Sequence, residues 1–331
     1  MHTSPLIGPL LVASATTAVV AVLERRVLRN LASTPDPDAD RDFRFPCERE
    51  VVVHTPDGGE LHVEECGSGS PVVLLHGHGA TLRTFALMAR HLAASGRRVI
   101  AFDQRGFGRS SPAPPVFGFQ GLVDDAATVL DALDLRDAIV VGHSLGGAVA
   151  LGLAVHRPEL ADSRVSGLVM INSSARGPTD RWLTRGRVAA LDSRFVEAFS
   201  RHPRHGVALA RANFGAEPYR SHVVAARAIG FESPVARRRG FTRQLLGIDL
   251  VEALPMIRLP VLVLAGSADR VVPPTASETT ARAIPGARFE LFAGAGHMLP
   301  MERSAEVAEV IVQVADAVEG RRTTTGHLLS G

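Results

Sequence analysis

Lysine is missing altogether, cysteine occurs twice, tyrosine and tryptophan once each, and the net charge is only +2. Each shortage closes off some class of function or structure. With no lysine, all 36 basic residues are arginine, a bias that reads as the codon usage of a GC-rich genome and not as chemistry. They face 34 acidic residues, so the basic footprint of a nucleic-acid binder is absent. Two distant cysteines, Cys47 and Cys66, do not make the four-ligand set of a structural zinc site, and no metal is expected. They fall in neighbouring predicted strands, where either a disulfide or two buried thiols would fit. The G-x-G-x-x-G spacing of a dinucleotide loop is also lacking, and no cofactor is expected.

Long apolar runs are scarce too. Leu6 to Leu23 carries no charge over 18 residues and is followed by Glu24, Arg25, Arg26 and Arg29. That length sits at the lower edge of a membrane span. Pro9 weakens it, and Met1 to Pro5 lacks the basic residues that precede the core of a signal peptide. The segment 1–32 is read as a membrane anchor; a cleaved signal and an apolar helix lying on the body or on the membrane surface are the alternatives. As a span it would leave the catalytic domain on the cytoplasmic side, because the arginines follow it. Without insertion the protein would be cytoplasmic.

Residues 33–46 (STPDPDADRDFRFP) are rich in Pro and Asp without apolar periodicity and read as a linker. The domain proper is expected over 47–319 with a disordered tail over 320–331, and no triad residue or strand is expected before Cys47. Glu50–His54 and Leu61–Val63 alternate as strands around the turn Pro56-Asp57-Gly58-Gly59. Val72–Leu75, Arg98–Phe102, Ala138–Val141, Leu168–Ile171 and Val261–Leu264 are short apolar runs suited to strands buried on both faces, with Arg288–Phe292 as the last. Helical patterns occupy Leu82–Ala94, Leu122–Leu133, Leu145–His156, 275–284 and 304–318. Such alternation predicts an α/β fold with a mainly parallel, doubly wound sheet. It lapses between about 175 and 246, where apolar residues take helical spacing and aromatics gather, predicting a helical cap inserted between strands. The cap holds 14 arginines against five acidic residues. They either cover solvent faces of helices or meet an anionic membrane or acidic lipid.

The chemistry centres on Gly142-His143-Ser144-Leu145-Gly146, a G-x-S-x-G between a buried strand and a helix. A sharp strand-to-helix turn lifts a serine hydroxyl clear of the backbone, and the flanking glycines let the helix pack back on the strand. The Leu145 amide then points into the same space from a helix N-terminus, where negative charge is favoured. Serine needs a base, and the base needs an orienting acid. Asp269 follows the run 261–264 and His297 follows 288–292, both at the strand edge where active-site groups of open α/β sheets collect. Ser144, Asp269 and His297 are therefore the candidate nucleophile, acid and base. Asp103, also at a strand end, competes for the acid role but precedes the serine. Asn172 stands after the strand that follows the nucleophile and cannot be a carboxylate. His76-Gly77-His78-Gly79 offers the His78 amide as the second oxyanion donor beside Leu145.

These motifs, with Asp103-x-Arg105-Gly106-x-Gly108, resemble the α/β-hydrolase family in its capped esterase, haloperoxidase-like and C–C hydrolase branch. The likeness spans roughly residues 50–318, apart from most of the cap. It implies an acyl-enzyme serine hydrolase without cofactor, acting on a small-molecule ester, hydrophobic or lipid-like in view of the apolar cap. C–C hydrolysis, thioesterase action and perhydrolysis are alternatives on the same triad. A binding or signalling protein that retains the triad but hardly turns over is the alternative class. Similar epoxide hydrolases and haloalkane dehalogenases use an aspartate nucleophile, and the former also rely on cap tyrosines. Ser144 and the lone Tyr219 argue against both.

Overall fold

Runs of Val, Leu and Ile place an apolar side chain on both faces at every step, so they are stable only as strands covered by helices on each side. The computed structural model describes residues 24–114, 117–177, 193–233 and 247–328 and shows this arrangement. The strands are β1 (Arg49–His54), β2 (Glu60–Cys66), β3 (Ser70–Leu75), β4 (Arg97–Phe102), β5 (Ala138–His143), β6 (Val165–Ile171), β7 (Val261–Gly266) and β8 (Arg288–Phe292). They form one eight-stranded sheet ordered β1-β2-β4-β3-β5-β6-β7-β8. β2 pairs antiparallel with β1 and β4, and the remaining pairs are parallel.

The two faces separate by residue parity. Val73, Leu75, Val140, Leu168, Met170 and Val263 join α3 (Gly118–Ala132) and α4 (Leu145–His156) in one core. Val72, Leu74, Val141, Val169, Ile171 and Leu264 face α2 (Ala86–Ala94) and α11, the C-terminal helix Ser304–Leu328. α4 is apolar nearly all round, as a helix at the centre of a layer must be. α5 (Pro158–Arg164), α9 (Pro274–Ala283) and the short α10 (Leu299–Glu302) complete the body. Between β6 and β7 the chain leaves the sheet, and α6 (Arg194–Arg201), α7 (Pro203–Arg211) and α8 (Arg220–Phe231) form the described part of the helical cap. The expected cap residues 178–192 and 234–246 lie outside the described residues.

Several expectations need correction. Residues 33–46 are not a free linker. Asp36 accepts hydrogen bonds from the backbone amide and hydroxyl of Ser221 at 2.7 and 2.9 Å, and Asp38 pairs with the buried His222 at 2.9 Å. Phe45 lies in the α2-side core, and Leu31, from α1 (24–33), joins Phe214, Val223 and Ile229 in the cap's own core. Composition favoured a linker, but short acidic side chains also suit the exposed amides of a helix N-terminus, and here α8 provides them. Nor is 320–331 wholly a disordered tail, because α11 continues to Leu328. Cys47 and Cys66 are both free, the first exposed and the second buried. Leu6–Leu23 lies outside the described residues, and among those described no helix is long and apolar enough to cross a membrane.

Candidate active site

Ser144 occupies the single-residue turn between β5 and α4 with φ 53° and ψ −117°. This backbone conformation is strained for any residue with a Cβ. Tight packing enforces it: a Cβ at Gly146 would overlap the carbonyl oxygen of Leu75, and one at Gly142 would overlap the Gly146 carbonyl. Gly146→Ala is therefore expected to lower the unfolding free energy by about 3 kcal/mol, as overpacking between fixed elements does. Urea denaturation measures this, and an unchanged midpoint would show that α4 has room to move off β3.

The candidate acid and base lie one strand apart at the same sheet edge. Asp269, fully buried in its side chain, follows β7, and His297 follows β8. His297 Nδ1–H donates to Asp269 Oδ2 at 2.8 Å, so the proton sits on Nδ1 and Nε2 keeps its lone pair. The second oxygen of Asp269 accepts the amides of Val271 and Val272 at 2.7 and 3.0 Å, which fixes the carboxylate in the loop. Asp103 is committed elsewhere: its two oxygens accept the amides of Leu82 (2.9 Å) and Arg109 (2.8 Å). The adjoining Arg105 is buried and pairs with Asp125 and Asp57, so this motif is structural.

His78 lies in the loop after β3, with its ring edge-on to Phe107, and Leu145 is the first residue of α4. The loop abuts the elbow, since a Cβ at Gly77 would sit 3.1 Å from the Ser144 Cβ. His76 serves as scaffold. Its Nδ1–H donates to the Gly77 carbonyl, and its Nε2 accepts the Gln104 amide, at 2.8 and 2.9 Å.

Three further residues, none given a role by the sequence motifs, organise the His297 loop. Asn172, itself at φ 48°, donates from Nδ2 to the Gly296 and His297 carbonyls (both 2.8 Å) and accepts the Gly266 amide (2.7 Å). One amide side chain thus ties the acid's strand to the base's loop. His143 donates Nε2–H to the His297 carbonyl at 2.8 Å, and the two imidazole rings lie 4.9 Å apart. Its Nδ1 is buried without a partner, and burial, reinforced by repulsion from His297, lowers its pKa to about 3.

The third is Glu302, which accepts the amides of Gly215 (2.8 Å) and Gly296 (3.0 Å), joining cap to base loop. Burial pushes its carboxyl up, opposed by those two amides and by the charges of Arg303 and Arg211. The cap reaches the same loop directly. The Asn213 carbonyl accepts the His297 and Met298 amides at 2.8 and 3.2 Å, and the Ala216 amide donates to Gly294 at 3.0 Å.

The depressed pKa of His143 carries a sign. Because its folded value lies below the unfolded one, its contribution to stability is complete above pH 6.5 and is lost as pH falls toward 3. Stability should fall by ~1 kcal/mol per pH unit across that window from this residue alone. His143→Gln, which cannot titrate, should flatten the profile. Equal slopes in urea titrations of the two proteins would remove His143 as the source.

A half-buried serine on a strained elbow, an imidazole aligned by a buried carboxylate, and the N-terminus of a buried helix together equip the edge for nucleophilic chemistry. Comparison with known proteins gives the family. The profile of the alpha/beta hydrolase fold family matches residues 70–304. A 2-hydroxymuconate semialdehyde hydrolase of Pseudomonas sp. (strain CF600) is 33% identical over 270 residues, covering 80% of this chain and 92% of its own. A non-heme chloroperoxidase of Kitasatospora aureofaciens is 30% identical, covering 76% and 93%. Among solved structures, an esterase from Exiguobacterium antarcticum superposes with a TM-score of 0.72 at 26% identity, covering 81% of this chain and 100% of its own.

Proposed function

The chain belongs to the alpha/beta hydrolase fold family, and from that premise we propose that it is a serine hydrolase cleaving a hydrophobic carboxylic ester through an acyl-enzyme. The observation that carries the reading is the left-handed Ser144, whose neighbour His143 bonds the His297 carbonyl, together with the His297–Asp269 pair. Ser144 Oγ attacks the acyl carbonyl carbon while His297 Nε2 takes the hydroxyl proton. Asp269 stabilises the imidazolium through the Nδ1–H bond and itself stays ionised. The amides of Leu145 and His78 hold the tetrahedral oxyanion. Collapse breaks the bond to the alkoxide, which leaves with the proton from His297. Water, deprotonated by the same nitrogen, then attacks the acyl carbon and releases the acid and free Ser144. No step calls for a metal or cofactor.

A C–C bond hydrolase on the same triad is the second reading, favoured by the 33% identity to a 2-hydroxymuconate semialdehyde hydrolase. Turnover of p-nitrophenyl esters of increasing acyl length, set against turnover of 2-hydroxymuconate semialdehyde, separates the two. Esters should be cleaved with the higher kcat/KM, and a fluorophosphonate should label Ser144 stoichiometrically. Preference for the semialdehyde would move the assignment to the second reading. A chain inert to both substrates and to the label would be a hydrolase-fold protein that binds and does not turn over.

A further inference from the structure

Most body arginines face a carboxylate: Arg49 and Arg98 meet Glu65, Arg109 meets Glu50, Arg157 meets Asp124, and Arg164 meets Asp131. A different group lies where the helix over 24–33 packs beside the start of α7. There Arg25, Arg29 and Arg204, from segments about 180 positions apart in the chain, line one open cleft of about 900 Å³ together with His202 and His205. All three arginines are exposed, and none meets a carboxylate among the described residues. Arg29 Nε reaches only the Arg25 carbonyl, at 3.4 Å. Glu24, the one acid in the lining, is already taken by His205 Nδ1 at 2.8 Å, and that ring is stacked between Phe199 and His202. Three exposed arginines therefore line a cleft whose single carboxylate is engaged by His205, and this excess of positive charge suits an anion carrying several acceptor oxygens.

We propose that this cleft seats the phosphate headgroups of anionic lipids at a bilayer surface. One observation selects a lipid over a free anion. The cleft opens at the residue that directly follows the uncharged run Leu6–Leu23, so basic and apolar sequence are contiguous, as in two-signal membrane attachment. The proposal concerns where the protein sits and does not depend on the bond it cleaves.

Co-sedimentation of the full chain with vesicles of phosphatidylcholine alone, or mixed with phosphatidylglycerol, tests it. The mixed vesicles should bind on the order of 100-fold more tightly, at ~5-fold per arginine, and added salt should erase the difference. Arg204→Gln should remove ~5-fold, and the triple variant Arg25→Gln/Arg29→Gln/Arg204→Gln the whole increment, both with unchanged thermal melting because the side chains are exposed. Equal binding to the two vesicles, absence of binding to either, or a triple variant that keeps the preference would overturn the proposal. So would calorimetric binding of inorganic phosphate to the cleft without any vesicle preference, which would assign it to a soluble anion.

Discussion

Ser144→Ala is expected to lower kcat on a p-nitrophenyl ester by about 10⁶-fold, the scale on which a nucleophile acting as a unit with its base is lost. Fold and stability should barely change. Alanine retains a Cβ, so it keeps the strain of φ 53°, and the packing that enforces the turn comes from Gly142, Gly146 and the Leu75 carbonyl, not from the hydroxyl. Ser144→Gly gives the complementary result. It should be equally inactive yet more stable by about 1–3 kcal/mol, because glycine relieves the strained dihedral. The pair separates chemistry from folding. An active alanine variant would remove Ser144 from the mechanism, and a glycine variant no more stable than wild type would mean that the elbow stores no strain.

The second large effect concerns the acid. Asp269→Asn should reduce kcat roughly 10⁴-fold, since an amide facing Nδ1 favours the tautomer with its proton on Nε2, which cannot act as a base. Melting should shift modestly, as the asparagine oxygen can still accept the Val271 and Val272 amides. Asp103→Asn should behave in the opposite way. Its two oxygens hold the Leu82 and Arg109 amides, and an amide side chain has an acceptor for only one of them. The variant should lose about 1–3 kcal/mol of stability and keep most of its kcat when folded. Measuring both constants for both variants decides the point, and a reversed pattern would transfer the acid role to Asp103.

The parts of this protein that follow from local physics were legible in the sequence. All eight strands were placed, the central ones because short apolar runs admit few other environments and β1 and β2 by their alternation, and α4 was placed residue for residue from Leu145 to His156. The Asp269–His297 pairing could be read from the order of strand ends, since a parallel sheet delivers the residues after β7 and β8 to one edge. What could not be read depends on contacts between distant residues. Asn172 was noted only as something that could not be the acid, yet it anchors a loop 125 positions away. Glu302 lies five positions beyond His297 in an unremarkable Met-Glu-Arg stretch, and its partner Gly215 belongs to the cap. The Asp36 and Asp38 contacts failed for the same reason. A Pro/Asp-rich stretch has the composition of a spacer whether or not α8 lies nearby to accept it.

The seam between residues 213–216 and 294–298 has a consequence for how such an enzyme could change its diet. The cap is the part that new substrates would reshape, and in many designs a lid can be exchanged without disturbing the machinery beneath. Here the lid's backbone supplies the hydrogen-bond acceptor for the amide of His297 itself, and a shared carboxylate spans the join. Any remodelling that shifts Asn213 by an ångström is transmitted to the imidazole. Selectivity and turnover would therefore drift together along a mutational lineage, unless this five-bond seam were held constant while the rest of the cap varied.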